Sequence, residues 1–203
     1  MLTPRIAPAT SRVAIISGHP NPDGQRYGHA LVNAYAEGAT EGGHEARIID
    51  IARIEIPTLR HAADWRAPPA APDILAAQEA IAWANHLVVV YPLWLGDMPA
   101  LLKSFFEQIS AGGFVMDHRP DGAWERGLKG KSARVIVTMG MPALVYRWFF
   151  FAHSLHSLER NILKFAGADP VVSSVIGSVE AKDGAKARAE WLVTARELGR
   201  TAT

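Results

Sequence analysis

The sequence predicts an α/β fold in which one parallel sheet carries helices on both faces. Two observations predict it. Five short apolar, mostly β-branched runs lie along the chain, and a stretch with helical features follows each of them. Four of the runs lack apolar–polar alternation, as expected of strands buried on both faces. They are Val13–Ile16, Leu87–Tyr91, Arg134–Thr138 and Val171–Ile176. The remaining run, Ala46–Asp50, alternates and suits a less buried strand at a sheet edge.

Each intervening stretch has its own reason to be helical. Tyr27–Glu41 stops at Gly42-Gly43. The next begins after Pro72-Asp73, where Asp73 is placed to cap free amides, and runs to about Asn85. A third follows Pro99, a residue favoured in a first turn. Its apolar positions Leu101, Leu102, Phe105, Phe106 and Ile109 recur every three or four residues, so one stripe faces the sheet. Ser157–Ala166 ends at Gly167 with Pro170 beyond, and the last helix covers about Ala185–Leu198. The three prolines in Arg66–Pro72 mark a loop inside the domain. No repeat or linker divides the chain. It reads as one domain over residues 12–200, preceded by a flexible leader over 1–11.

Composition bounds the function. The 203 residues carry 21 Lys and Arg against 20 Asp and Glu, a net charge of +1, which argues against nucleic acid as the main partner. There is no cysteine, so thiol nucleophiles, disulfides, cysteine zinc sites and iron–sulfur clusters are excluded. Redox chemistry would have to come from a bound organic cofactor. No apolar run reaches the ~18 residues of a membrane span. The first residues lack the apolar core of a signal peptide, so the chain reads as cytoplasmic and not membrane-embedded.

Ligands of open parallel sheets sit beyond the carboxyl ends of the strands, near the switch in strand order. That rule singles out three loops. After the first strand comes Ser17-Gly18-His19-Pro20-Asn21-Pro22-Asp23-Gly24-Gln25-Arg26, which is neither a dinucleotide fingerprint nor a Walker loop. It ends at a helix N-terminus, whose free amides and dipole favour an anion. His19 and Arg26 add donors, and Asn21 and Gln25 can orient them. The residues alone leave open an anion cradle or a solvated surface loop.

After the third strand, Tyr91-Pro92-Leu93-Trp94-Leu95-Gly96-Asp97-Met98-Pro99 is stiff and apolar. Its main chain can border a flat heteroaromatic ring while Trp94 and Leu95 pack beside it. The same residues would also serve as a core plug under a helix. After the fourth strand, Thr138-Met139-Gly140-Met141 permits close backbone approach at Gly140. Five aromatics in the six residues Tyr146–Phe151 exceed what one helix stripe can bury, which points to an interface or groove, with a core face as the alternative. His153, His156 and Glu159 spread over ~120° of a helix and make a poor metal site. His29, His44, His61, His86 and His118 read as isolated surface or packing residues. No Gly-x-Ser-x-Gly elbow is present.

Val13–Pro22, Tyr91–Lys103 and Arg134–Tyr146 together resemble the flavodoxin-like NAD(P)H:quinone oxidoreductases, the DT-diaphorase type and its bacterial relatives. The resemblance spans about Ser11–Gly199, and Pro92–Lys103 is its most specific block. It implies a three-layer, five-stranded parallel sheet of order 2-1-3-4-5 that binds FMN, with FAD possible, and uses NAD(P)H as co-substrate. The loop from His19 through Asn21, Gln25 and Arg26 is similar to the family's flavin-phosphate loop. Pro92, Leu93, Trp94 and Leu95, with Thr138, Met139, Gly140 and Met141, are similar to its isoalloxazine loops. Relatives often carry Ser, Phe and Asn where this chain has Gly24, Gln25 and Arg26, and a second Gly where it has Met141. Tyr146 and His153 are the implied catalytic pair. Phe114, Tyr146 and Trp148, beside Trp94, are the implied pocket for a quinone-like acceptor. A homodimer with its sites at the interface is also implied, which would occupy the Trp148–Phe151 patch. The implied reaction is a ping-pong hydride transfer from NAD(P)H to the acceptor. Two alternatives share the fold: a flavin-bearing regulatory subunit of a potassium-efflux transporter, and a flavodoxin-like electron carrier.

Overall fold

The structure, a computed structural model, describes residues 10–118 and 124–203. Five strands form one parallel sheet: β1 (Arg12–Ser17), β2 (Glu45–Asp50), β3 (His86–Pro92), β6 (Ser132–Thr138) and β7 (Val171–Ile176). Their order is β2-β1-β3-β6-β7, which is 2-1-3-4-5 among the sheet strands, so the switch point lies between β1 and β3. The alternating run is edge strand β2, with most of its residues in contact with water. Central β3 is buried from His86 to Tyr91. No helix among the described residues is long and apolar enough to cross a membrane.

Side-chain alternation splits the core into two layers. Val13, Ile15, Val88, Val90 and Ile136 pack against α1 (Tyr27–Glu41) and α7 (Ala185–Thr201) through Leu31, Tyr35 and Ala195. Ala14, Ile16, Val89, Tyr91, Val135 and Val137 face the other way. They pack on Ile74 and Ile81 of α3 (Pro72–Trp83), on Leu102 and Phe105 of α4 (Ala100–Ser110), and on Leu158 and Leu163. The α1–α7 contact is so close that a Cβ on Gly38 would lie 1.9 Å from the Arg196 carbonyl oxygen. Only glycine fits there.

The five expected helices are present, with differences in detail. Asp73 does not cap α3: Ala71 is the N-cap, Pro72 opens the first turn, and the Asp73 carboxylate accepts the Glu55 N–H at 2.8 Å. Ser157–Lys164 winds as a π-helix, the wider turn that recurs near functional sites. Elements too short to leave a periodic signal are α2 (Ala62–Arg66), the antiparallel pair β4 (Met116–His118) and β5 (Trp124–Arg126), α5 (Ala143–Trp148) and α6 (His153–His156). Left-handed residues Phe151 and Ala152 separate the last two. The leader expected over 1–11 lies outside the described residues up to residue 9. Ser11 is already tied to the domain, its N–H donating to His44 Nδ1 at 3.1 Å.

Candidate active site

The switch point brings the three loops together. Gly18 leaves β1 with its N–H on the Val90 carbonyl at 2.7 Å. A Cβ there would meet Tyr91 and Leu102 at 2.9 Å, so glycine lets the first loop pass directly over β3 and α4. The third-strand loop is tied to the fourth, with Leu93 N–H donating to the Thr138 carbonyl at 2.7 Å. The ring of His19 then meets Trp94 edge-on at 5.7 Å and His29 at 5.1 Å.

A ladder of side-chain acceptors shapes the first loop. His19 Nδ1 takes the Asn21 N–H at 3.0 Å, Asn21 Oδ1 takes that of Asp23 at 2.9 Å, and Asp23 Oδ1 takes that of Gln25 at 2.8 Å. Each link is a local turn of the type short polar side chains favour. Arg26, the residue before α1, pairs with Asp23 at 2.9 Å in a half-exposed contact. The first turn of α1 holds no acidic residue to balance the dipole. Burial, and then the neighbouring His29 and Arg26 charges, push the His19 pKa below its ordinary value.

His29 is the residue that sequence reasoning missed here. It is no isolated packing group. Its Nδ1 accepts the Arg26 N–H at 3.2 Å, which closes the helix start, while its buried Nε2, like His44 Nε2 and Tyr91 Oη, has no partner among the described residues. Beside it, Gly28 is buried in the first turn, and outside Tyr27, His29 and the helix backbone no atom lies within 4 Å of where its Cβ would be. The local signal was a histidine three residues past the N-cap, in a position to fold back on it. His86, also read as isolated, is buried between Tyr35 Oη at 3.0 Å and Ser132 Oγ at 2.7 Å, where burial first and the Arg134 charge second push it down to about 4. The side chain of His118 lies outside the described residues.

The third-strand loop turns at Leu95 and Gly96, both with positive φ, while Trp94 and Asp97 exchange backbone hydrogen bonds of 2.8 and 3.0 Å. This is a two-residue hairpin turn that asks for glycine or asparagine first. A leucine stands there instead, fully exposed. A strained backbone that holds an apolar side chain in water is a usual mark of a contact surface. Pro92 and Leu93 are half-buried at its base. In the fourth-strand loop Thr138 and Met139 are buried and Gly140 is exposed. The Met139 N–H is committed to Ile176, whereas the amides of Gly140 and Met141 find no acceptor among the described residues. The loop after β7, not singled out from sequence, closes on this turn. Ser178 and Val179 donate to the Met141 and Met139 carbonyls at 3.0 and 3.1 Å, and Glu180 Oε2 lies 3.4 Å from a Cβ position on Gly140.

Two expectations need correction. Tyr146 does not present its hydroxyl to a ligand. It is buried, with Oη bonded to Ser154 Oγ at 2.8 Å and accepting the Leu155 N–H at 3.1 Å, which pins α5 to α6. Phe114 does not join Trp94 within one chain. It follows the far end of α4, a helix of roughly 16 Å, and packs among Ile81, Leu87, Leu128 and Leu163. Trp148, Phe149, Phe150 and Phe151 are exposed, between 44% and 76%. His153 is exposed beside Phe151, with ring centroids 5.9 Å apart. His156 pairs with Glu159 at 3.2 Å. A cavity of about 340 Å³ runs along the flank of α4 between Trp65, Phe106, Met116 and Phe165, away from the loop cluster.

The strand order, the switch point and the three converging loops are those of one family, and the flavodoxin-like fold family matches this chain over residues 11–198. The chain belongs to the flavodoxin-like fold family. Within that family it is similar to an NAD(P)H oxidoreductase of Haemophilus influenzae, with 26% identity over 174 residues, 83% of this chain and 85% of that one. A shorter stretch of 58 residues is 31% identical to an FMN-dependent NADH:quinone oxidoreductase of Ruegeria pomeroyi and covers 29% of this chain and 28% of that one. Another relative is spanned over 57% of its length. Among flavodoxin-like solved structures, the NAD(P)H:quinone oxidoreductase of Methanothermobacter marburgensis has a TM-score of 0.77 and 25% identity, covering 95% of this chain and 96% of that one.

Proposed function

We propose that this chain is an FMN-dependent NAD(P)H oxidoreductase that reduces quinone-like acceptors. The observation that carries the reading is the convergence at one switch point of the α1 N-terminus, Trp94 and two loop amides without an acceptor among the described residues. The residues present fit a flavin mononucleotide. The start of α1, with no acidic residue in its first turn and His19 and Arg26 beside it, suits a phosphate, and the neutral loops from Pro92 to Leu95 and Thr138 to Met141 suit a flat ring. Bound there, FMN would supply the hydride relay between NAD(P)H and the acceptor.

The chain's own residues bind, orient and stabilise charge. His19, Asn21, Gln25 and Arg26 hold the phosphate end, with burial disfavouring the charged form of His19. The Gly140 and Met141 N–H groups, which find no acceptor among the described residues, would be available to stabilise negative charge on the ring. Trp94 and Leu95 wall the ring and exclude water. His153, exposed at the start of α6, is the group able to deliver a proton to an acceptor oxygen, since Tyr146 is spent in holding that segment. Trp148–Phe151 lies against a second copy of the chain, which completes the acceptor pocket.

Steady-state kinetics with FMN-loaded protein test this reading. NADPH oxidation should depend on menadione, and double-reciprocal lines should be parallel as menadione is varied, because the two reactants use one place in turn. Lines that intersect would contradict the alternating use of one site, and absence of menadione-dependent oxidation would contradict the activity.

A further inference from the structure

The loop after β7 carries a carboxylate to the same turn whose amides lack acceptors. Glu180 Oε2 lies 3.4 Å, and its carboxyl carbon 3.7 Å, from where a Cβ on Gly140 would stand. Outside Gly140 and its two chain neighbours, no other atom comes within 4 Å of that position. The Glu180 carboxylate makes no hydrogen bond and no ion pair among the described residues. Its placement comes from the backbone instead. Ser178 and Val179 donate to the Met141 and Met139 carbonyls, so the loop is fastened to the turn just before Glu180. Arg188 Nη1 donates to the carbonyls of Val179 and Ala181, on either side of Glu180, at 3.0 and 3.1 Å. Ser178, with a φ of 55°, holds the entry to the loop in the left-handed region that non-glycine residues seldom occupy. The chain therefore fixes an unpaired negative charge beside Gly140, at an exposed position where water makes that charge inexpensive.

Such a charge matters beside a ring whose own charge alternates. A hydride from NAD(P)H brings two electrons and one proton, so the ring gains one negative charge and loses it again when the hydride passes to the acceptor. A fixed carboxylate opposes the first state and leaves the neutral oxidised ring almost untouched. The Gly140 and Met141 amides act in the opposite sense. Resting on the flavin reading above, we infer that Glu180 is a potential-setting residue: its carboxylate weakens the binding of reduced FMN relative to oxidised FMN. The reduced flavin is thereby a stronger donor, able to serve acceptors of lower potential. Glu180 does this by its charge alone, without touching the acceptor.

The test measures the midpoint potential of FMN-loaded wild type, Glu180→Gln and Glu180→Asp by anaerobic equilibration with a reference dye. Affinity for oxidised FMN is read separately by quenching of flavin fluorescence, and circular dichroism confirms that each variant is folded. Glu180→Gln, which keeps the size and removes the charge, should bind reduced FMN about tenfold more tightly while oxidised FMN stays within about twofold. For a two-electron couple that is a rise of about 30 mV. Glu180→Asp, which keeps the charge, should hold the ratio of the two affinities within about threefold of wild type. The difference between wild type and Glu180→Gln should also shrink as salt is raised. An unchanged potential in Glu180→Gln, an equal change in both affinities, or the same shift in Glu180→Asp would overturn the inference and leave the flavin reading standing. Failure of the wild type to bind FMN would overturn the flavin reading itself, and the role of Glu180 with it.

Discussion

The two faces of the sheet end differently. On one face α1 and α7 meet backbone to backbone at Gly38, over a core in which His86 is held between Tyr35 and Ser132. On the other face α3, α4 and the π-helical segment bury a larger core, but the chain then leaves a ridge of aromatics from Trp148 to Phe151 in water. Trp65 and Phe165, about half exposed, border the cavity on the same side. The difference teaches where the protein is scaffold and where it acts. A face closed by its own chain gives stability, and a face left open asks for a partner.

Substitutions should therefore divide by face. The largest effect is expected on association. For the proposed dimer seated on this ridge, Trp148→Ser with Phe151→Ser should raise the dissociation constant about a hundredfold or more, near 3 kcal/mol, as read by sedimentation. The same double variant should change monomer unfolding by no more than ~0.5 kcal/mol. A dimer of unchanged strength would place the interface elsewhere.

On the closed face the next effect depends on pH. His86 is pushed down to about 4 in the fold against 6.5 when free, so it binds its proton more readily unfolded. Stability from this group is full above pH 6.5 and is lost as pH falls towards 4, by roughly 3 kcal/mol. Denaturant titrations should show a shallower acid decline for His86→Gln than for wild type across that window. Parallel declines would mean that His86 is not buried neutral.

Gly38→Ala comes next, at about 2–3 kcal/mol of destabilisation, because the methyl group would overlap the Arg196 carbonyl and α1 and α7 must move apart. Flavin affinity should be retained, and a cost under ~0.5 kcal/mol would show that the helices are not in such close contact. The smallest effect has the opposite sign. Leu95→Gly removes a left-handed leucine and should stabilise the fold by about 1 kcal/mol, seen in thermal melts, while weakening flavin binding if Leu95 walls the ring.

Much of the closed architecture was legible in the sequence. Uninterrupted β-branched runs announce strands buried on both faces, as β1, β3 and β6 are, but the run Val171–Ile176 is the second edge strand, β7, buried only at Val175 and Ile176, while the alternating Ala46–Asp50 run announced an edge, as β2 is. Glycines and prolines marked most helix ends. The open side was harder to read because its elements are short. α2, α5, α6 and the β4–β5 pair run for six residues or fewer, less than two full turns of helix, so no period can declare itself. The three loops were found from strand order, but side-chain orientation within them was not. Nothing in the Tyr146–Phe151 string marks Tyr146 as the one aromatic turned inward, a direction set by Ser154 and Leu155 across a left-handed break. Nor does the spacing of Phe114 show that α4 carries it away from Trp94. His29 was missed for a related reason: that its ring turns back to the Arg26 N–H and closes α1 is visible only in the fold.

The most direct test of the central claim is an anaerobic titration of FMN-loaded protein with NADPH, followed by a pulse of menadione, read by flavin absorbance. The account predicts bleaching that is complete at one equivalent of NADPH per flavin, with no radical signal, and rapid recovery on menadione. Bound flavin that resists NADPH, or that passes through a long-lived one-electron form, would contradict it.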